Sequence, residues 1–204
     1  MRFINCLLMP NIGKLKSKSN KAEKIIFIDR DGVINEDPIG DYVKQWRDFH
    51  FIDGALEALR RLRHANFAIV VISNQAGIGD GIFTKEALKE TTEYMLKELK
   101  KGGVEIRGIY YCLHGKEENC ECRKPKTGLL EQAAREIKFK PKETFFIGDK
   151  VSDVQAGERF GLRTLFVLTG HGEKDRMRLN DAEYPERIFP SLKEAVDYIL
   201  NPKS

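Results

Sequence analysis

The sequence predicts an α/β fold built on a mostly parallel, doubly wound sheet, and three observations carry that expectation. Short apolar runs rich in β-branched residues alternate with segments whose apolar residues recur at helical spacing. The alternation runs from Lys24 to the end of the chain with no Gly/Ser- or Pro-rich linker to divide it. The polar residues best suited to chemistry come directly after strand-like runs, where such sheets bind their ligands.

Taken in order, Lys24 to Ile28 reads as a buried strand, and no comparable run precedes it. The fold is therefore expected to begin there, with residues 24–204 forming one domain and residues 1–23 a basic, disordered tail that includes Cys6. From Gly54 to Arg63, the apolar residues Ala55, Leu56, Leu59 and Leu62 mark a helix, and Phe67 to Ile72 is a second strand. Thr84 can cap a helix starting near Lys85, with Leu88, Met95, Leu96 and Leu99 on its apolar side and Gly102-Gly103 as its stop. Strands over Ile106–Cys112, Thr144–Ile147 and Thr164–Leu168 then alternate with helices over Gly128–Ile137, Val154–Phe160 and Ser191–Leu200.

Composition excludes several function classes. The 41% hydrophobic and 32% charged content fits a globular chain, and no apolar run approaches the roughly 20 residues of a membrane span. The net charge of +4 resides mostly in the amino-terminal segment, with Arg2, Lys14, Lys16, Lys18, Lys21 and Lys24 against Glu23. The folded part has neither the basic stripe nor the aromatic platform of a nucleic-acid binder. No secretory signal stands out, so the expectation is a cytoplasmic protein, and without an exposed apolar stripe a monomer. Trp46 and Phe49 are expected to pack a flap, and His50, His64 and His171 to be isolated surface or packing residues.

Three polar groups follow strand ends: Asp29-Arg30-Asp31-Gly32, Ser73-Asn74-Gln75, and Gly148-Asp149-Lys150 with Asp153 beyond. Residues two apart in extended backbone face the same side, so Asp29 and Asp31 can address one reacting group while Arg30 points away. These carboxylates and Asp149 would repel one another without a proton or a hard cation, and Mg²⁺ suits such an oxygen-rich site. One carboxylate could then attack a bound phosphate in line while the other protonates the leaving oxygen.

The order Asp-x-Asp-Gly, Ser-Asn, Arg-Lys-Pro and Gly-Asp-x-x-x-Asp resembles the haloacid dehalogenase superfamily of phosphohydrolases over about Lys24 to Gly172. Within it, Asp29 to Asn35 and Cys120 to Pro125 are similar to the zinc-containing branch that holds heptose-bisphosphate and histidinol-phosphate phosphatases. The resemblance implies Asp29 as nucleophile, Asp31 as general acid and base, and Mg²⁺ on Asp29, the Asp31 carbonyl and Asp149. It implies that Ser73 and Lys124 hold the transferring phosphoryl group and that Arg123 recognises the rest of the substrate. It implies too that Asn74 and Gln75, beside that phosphoryl site, bind substrate. Lys150 would stand at the substrate entrance, Asp37 would touch substrate from the flap, and Asp153 would brace the site. The implied substrate is a small phosphorylated metabolite, in an open site without a large cap domain.

Cys112, His114, Cys120 and Cys122 have the composition and spacing of a closed structural zinc site, an assignment that the resemblance supports. Such a zinc would fix Arg123 and Lys124 rather than take part in chemistry. Gly108 to Cys112 and Gly148-Asp149-Lys150 favour the heptose type. Two features depart from it: Gly79-Asp80 stands where a small residue and arginine are usual, and Leu113 replaces a proline. Histidinol phosphate is therefore an alternative substrate. A phosphoaspartate signalling receiver is a competitor of another class, and Asp31 speaks against it, since an acid and base beside the nucleophile would hydrolyse the phosphoaspartate. A zinc-containing nucleic-acid binder is a further competitor.

Overall fold

The computed structural model describes residues 6–8, 22–38, 40–180 and 183–201. Its strands are β1 (Cys6–Leu8), β2 (Ile25–Ile28), β3 (Ala68–Asn74), β4 (Ile106–Cys112), β5 (Phe145–Gly148), β6 (Arg163–Val167) and β7 (Arg187–Phe189). Its helices are α1 (Ala55–His64), α2 (Ala76–Gly79), α3 (Lys85–Lys101), α4 (Gly128–Glu136), α5 (Val151–Phe160), α6 (Gly172–Asp175) and α7 (Leu192–Leu200). The strands form one sheet in the order β1-β4-β3-β2-β5-β6-β7, with β1 antiparallel and every other neighbouring pair parallel.

Both faces of this sheet are covered, as the near-continuous apolar runs require. Ile26 and Ile28 of β2 face a core shared with Leu59 and Leu62 of α1, Met95 of α3 and Val196 of α7. Their neighbours Ile25 and Phe27 face the opposite core, with Leu129 and Ala133 of α4 and Ala156 of α5. Each fully buried branched side chain here contributes about 1.5–3 kcal/mol relative to exposure. The doubly wound expectation holds, and the chain's path sets the position of the site. From central β2 the chain builds outward on one side through β3 and β4, then crosses to β5 on the other side, leaving a crevice at the carboxyl ends of β2 and β5.

Local signals place most elements. Thr84 Oγ1 accepts the Ala87 N–H at 3.1 Å to start α3, and Gly103, at φ +76°, stops it. Among the described residues, no helix is long and apolar enough to cross a membrane.

Several expectations need correction. The fold does not begin at Lys24: Cys6–Leu8 adds an edge strand to β4, with Cys6 opposite Cys112. A three-residue strand has no periodicity to detect, and its pairing is made by backbone groups of any sequence. The end of the supposed tail is anchored too, since Glu23 N–H donates to Lys138 O at 2.9 Å and its carboxylate pairs with Arg107 at 3.2 Å. The basic run from Lys14 to Lys21 lies outside the described residues. β7 and the two short helices α2 and α6 went unforeseen because each is only a few residues long. α5 starts at Val151, three residues before the expected Val154, because the Asp153 side chain accepts the Lys150 N–H at 3.0 Å and caps it.

The segment between β2 and α1 is the expected flap. Phe49 is buried, whereas Trp46 is partly exposed against Tyr94 of α3 with a ring separation of 5.4 Å. Its packing role is thus split between a core ring and a half-open one.

Candidate active site

Parallel pairing of β2 with β5 puts Ile28 beside Ile147, so Asp29 and Asp149 leave the sheet next to each other. Asp153, in the first turn of α5, joins them: one carboxylate oxygen from each of the three lies within 4.8 Å of the others, and all three residues are buried. Backbone must come close for this to happen. A Cβ on Gly32, which sits at φ +85°, or on Gly170 would collide with the Asp149 carboxylate, so both positions require glycine.

Lys124 lies among the acids. Its ammonium stands 3.0 Å from Asp29, 2.6 Å from Asp153 and 2.9 Å from the Ile72 carbonyl oxygen. Burial alone would lower the Lys124 pKa, but Asp153 and Asp29 outweigh it and raise it, so the side chain stays charged. Asp149 has a different balance. Burial lifts its carboxyl well above the ordinary aspartate range, Lys150 opposes this, and Asp29 and Asp153 add to the rise. Its Oδ2 accepts the His171 N–H at 2.7 Å, while Oδ1 is buried with no hydrogen-bond partner. An unpartnered buried carboxylate oxygen beside two further carboxylates fits a hard divalent cation, which takes oxygen ligands.

The Asp31 side chain is not part of that cluster. Sequence spacing suggested that Arg30 points away from the site. The guanidinium instead folds back on Asp31, with Nη2 at 2.7 Å from Oδ1 and 2.9 Å from Oδ2. Asn35 and Gln75 donate to the same carboxylate at 2.9 Å and 2.8 Å. Burial would raise the Asp31 pKa; the Arg30 charge and the hydrogen bonds from Asn35 and Arg30 prevail and lower it. Arg30 escapes the strand alternation because Gly32 begins a turn there, with Gly32 N–H donating to Asn35 O at 2.7 Å.

Ser73, Asn74 and Gln75 come together at the end of β3, in different roles. Ser73 is buried and its Oγ accepts from Gln75 Nε2 at 3.1 Å. Gln75 is committed to Ser73, Asp31 and Arg30, so its side chain braces the acid rather than facing an open space. Asn74 clamps the backbone of Lys124, accepting from its N–H and donating to its carbonyl, each at 3.1 Å. One nitrogen of the neighbouring Arg123, Nη1, is buried without a hydrogen-bond partner, a donor available to an anion.

At the rim, Lys150 Nζ bonds to Asp37 Oδ2 at 2.8 Å and stands 3.8 Å from Asp149. His171 Nε2 approaches the same Asp37 oxygen to 3.2 Å. Sequence reasoning set His171 aside as isolated. Its only signal was position, after a glycine beyond a strand end, and that signal does not separate it from an ordinary loop residue.

The sulfurs of Cys112, Cys120 and Cys122 and Nδ1 of His114 form the second cluster. Neighbouring ligand atoms are 3.2–3.6 Å apart. Tetrahedral zinc with sulfur at about 2.3 Å has edges of about 3.8 Å, so the four atoms outline a cage of nearly that size. The Cys122 thiol and burial push the Cys112 thiol up, a balance that a coordinated cation reverses. Asp80, the departure noted in the sequence, accepts the Lys116 N–H at 3.1 Å and so fastens the cysteine loop to the segment after α2. Leu113, the other departure, is buried in the core that contains β4.

A HAD-hydrolase-like family model, HAD standing for haloacid dehalogenase, matches residues 121–195. The chain is 41% identical over 155 residues to the D-glycero-beta-D-manno-heptose-1,7-bisphosphate 7-phosphatase of Pasteurella multocida, covering 72% of this chain and 83% of that one. The enzyme of the same name from Helicobacter pylori is 42% identical over 181 residues, covering 87% and 98% of the two chains. Among solved structures, the D,D-heptose 1,7-bisphosphate phosphatase of B. bronchiseptica, complexed with magnesium and phosphate, matches with a TM-score of 0.83 at 30% identity. That match covers 88% of this chain and 99% of the other. The resemblance read from the motifs is borne out, and the protein belongs to the haloacid dehalogenase-like hydrolases, as a phosphatase of that family.

Proposed function

We propose that the protein is a magnesium-dependent phosphomonoester hydrolase that removes the 7-phosphate of D-glycero-D-manno-heptose 1,7-bisphosphate through an aspartyl-phosphate on Asp29. The observation that carries this reading is the buried group in which the Asp29 carboxylate, 3.0 Å from the Lys124 ammonium, lies within 4.8 Å of a carboxylate oxygen of Asp149, a residue whose Oδ1 has no hydrogen-bond partner. The names and coverage of the relatives support the substrate.

Asp29 attacks phosphorus, and the bond from phosphorus to the sugar oxygen breaks as the bond to Asp29 forms. Asp31, ionised against Arg30 in the free protein, would turn toward the bound phosphate and take up a proton from solvent as substrate binds, and then give that proton to the departing sugar oxygen. A water then attacks the aspartyl-phosphate, Asp31 takes that water's proton, and phosphate leaves with the Asp29 carboxylate restored. Lys124 and the Ser73 hydroxyl hold the phosphoryl oxygens, and Arg123 meets the remainder of the substrate. Mg²⁺, held by Asp29, Asp149 and the Asp31 carbonyl, would supply positive charge to the phosphoryl group. Cys112, His114, Cys120 and Cys122 would hold zinc with all four positions filled, which gives it a structural task only.

The test is phosphate release with Mg²⁺ from both anomers of the heptose 1,7-bisphosphate, histidinol phosphate and several sugar monophosphates. Asp29→Asn should lower turnover by about 10⁴-fold or more, as removal of a nucleophile does. Preference for histidinol phosphate would replace the proposed substrate, and turnover surviving in Asp29→Asn would end the assignment of the nucleophile.

A further inference from the structure

The rim group of Asp37, Lys150 and His171 joins three loops, those following β2, β5 and β6. Two nitrogen atoms converge on one oxygen, Asp37 Oδ2, at 2.8 Å and 3.2 Å. The donors and the acceptor differ in how they are held. Lys150 follows Asp149 directly, and its own N–H is tied to Asp153 at 3.0 Å. His171 is tied to Asp149 by its N–H at 2.7 Å. Both donors are therefore positioned by backbone bonds to the carboxylate cluster. Asp37 belongs to the flap, in no strand or helix, and meets them through its side chain. The Lys150 and His171 side chains are each 31% exposed and the Asp37 side chain between them 10%, so a solute that displaces Asp37 can reach both nitrogens.

A pair of donors fixed to the reaction centre, with one carboxylate oxygen between them, has the form of an anion site whose occupant is exchangeable. A phosphate carries more charge than a carboxylate and offers three oxygens to the same donors. We propose that His171 and Lys150 hold the non-reacting phosphate of a bisphosphate substrate in the place that the Asp37 carboxylate takes in the free protein, which makes His171 a determinant of specificity. The proposal rests on the phosphatase reading and goes beyond it by assigning a residue to the distal end of the substrate. Replacing the His171 side chain leaves its N–H bond to Asp149 in place, so the carboxylate cluster is not disturbed directly.

The experiment is calorimetric binding, with Mg²⁺ present, of the heptose 1,7-bisphosphate and of the heptose 7-phosphate to Asp29→Asn protein, alone and combined with His171→Ala or His171→Gln. Removing one hydrogen bond to a charged, partly exposed group should weaken the bisphosphate about tenfold in His171→Ala. The 7-phosphate should change by less than about twofold, because it lacks the group that His171 meets. His171→Gln, which keeps an N–H near the Nε2 position, should restore part of the loss. Equal weakening of both ligands would mark a merely structural histidine and overturn the proposal, as would unchanged bisphosphate affinity or no bisphosphate binding at all. Failure of the catalytic reading would appear elsewhere, as absent turnover of the bisphosphate by the unaltered protein.

Discussion

The two metal-like clusters are built in opposite ways. The carboxylate group draws Asp29 from the end of β2, Lys124 from the loop after β4, and Asp149 and Asp153 from the end of β5 and the first turn of α5, and all four are buried. The cysteine group comes from one short stretch, 112–122, and half of it, His114 and Cys120, is partly exposed. The first exists only if the sheet is correctly assembled; the second needs one strand end and one loop. The difference supports the proposed assignment of chemistry to the first cluster. A site assembled from distant parts can hold unlike charges at 2.6–3.0 Å in the dry interior, where they act strongly on a bound phosphate. The local cluster, in the proposed reading, would instead fix the loop that carries Arg123 and Lys124.

Lys124 should show this contrast most sharply. Lys124→Met leaves Asp29 and Asp153 buried without their shared cation, which should cost about 3–5 kcal/mol of stability. kcat should fall by about 10²–10³-fold through the loss of a charge on the phosphoryl group. Urea unfolding and steady-state kinetics check both numbers, and a fully stable, fully active variant would break the contrast.

Cys122→Ser comes next. Zinc content by elemental analysis should fall, and kcat/KM should drop about 10–100-fold while the circular dichroism spectrum at 25 °C stays folded. Loss of zinc with unchanged kinetics would separate the cysteine loop from the active site altogether.

The smallest expected effect belongs to Asn74, which joins the two regions through the Lys124 backbone. Asn74→Ala removes two hydrogen bonds and should cost about 1–2 kcal/mol, read as a lower melting temperature. kcat/KM should decline severalfold with zinc content unchanged. A fall in zinc content would mean that the clamp supports the cysteine loop rather than the lysine beside it.

How much of this was legible in the sequence differs by residue. Asp29 and Asp149 were legible because each follows a buried apolar run, and strand ends converge in a doubly wound sheet. The cysteine cluster was legible because its ligands lie close in sequence at metal-site spacing. The bracing function of Asp153 was also expected, and its carboxylate does pair with Lys124 and cap α5. Arg30, Gln75 and His171 were misread or passed over. Arg30 follows the turn geometry at Gly32 rather than strand alternation. Gln75 reaches Asp31 across 44 positions, and Asn74 reaches Lys124 across 50. Contacts at such separations leave no local pattern.

By itself the sequence determined the alternation of strands and helices, the buried strand that ends at Ile28, and the residue types gathered after it, because apolar period and turn chemistry act over a few residues at a time. Only the tertiary structure decided which way the side chains turn: Arg30 onto Asp31, Asn74 onto the Lys124 backbone, and Lys150 and His171 onto one oxygen of Asp37. The physical reason is that a buried polar group must find its partner in space, and when the flap, the loop and the strand end come from different parts of the chain, that partner is settled by how the sheet brings them together.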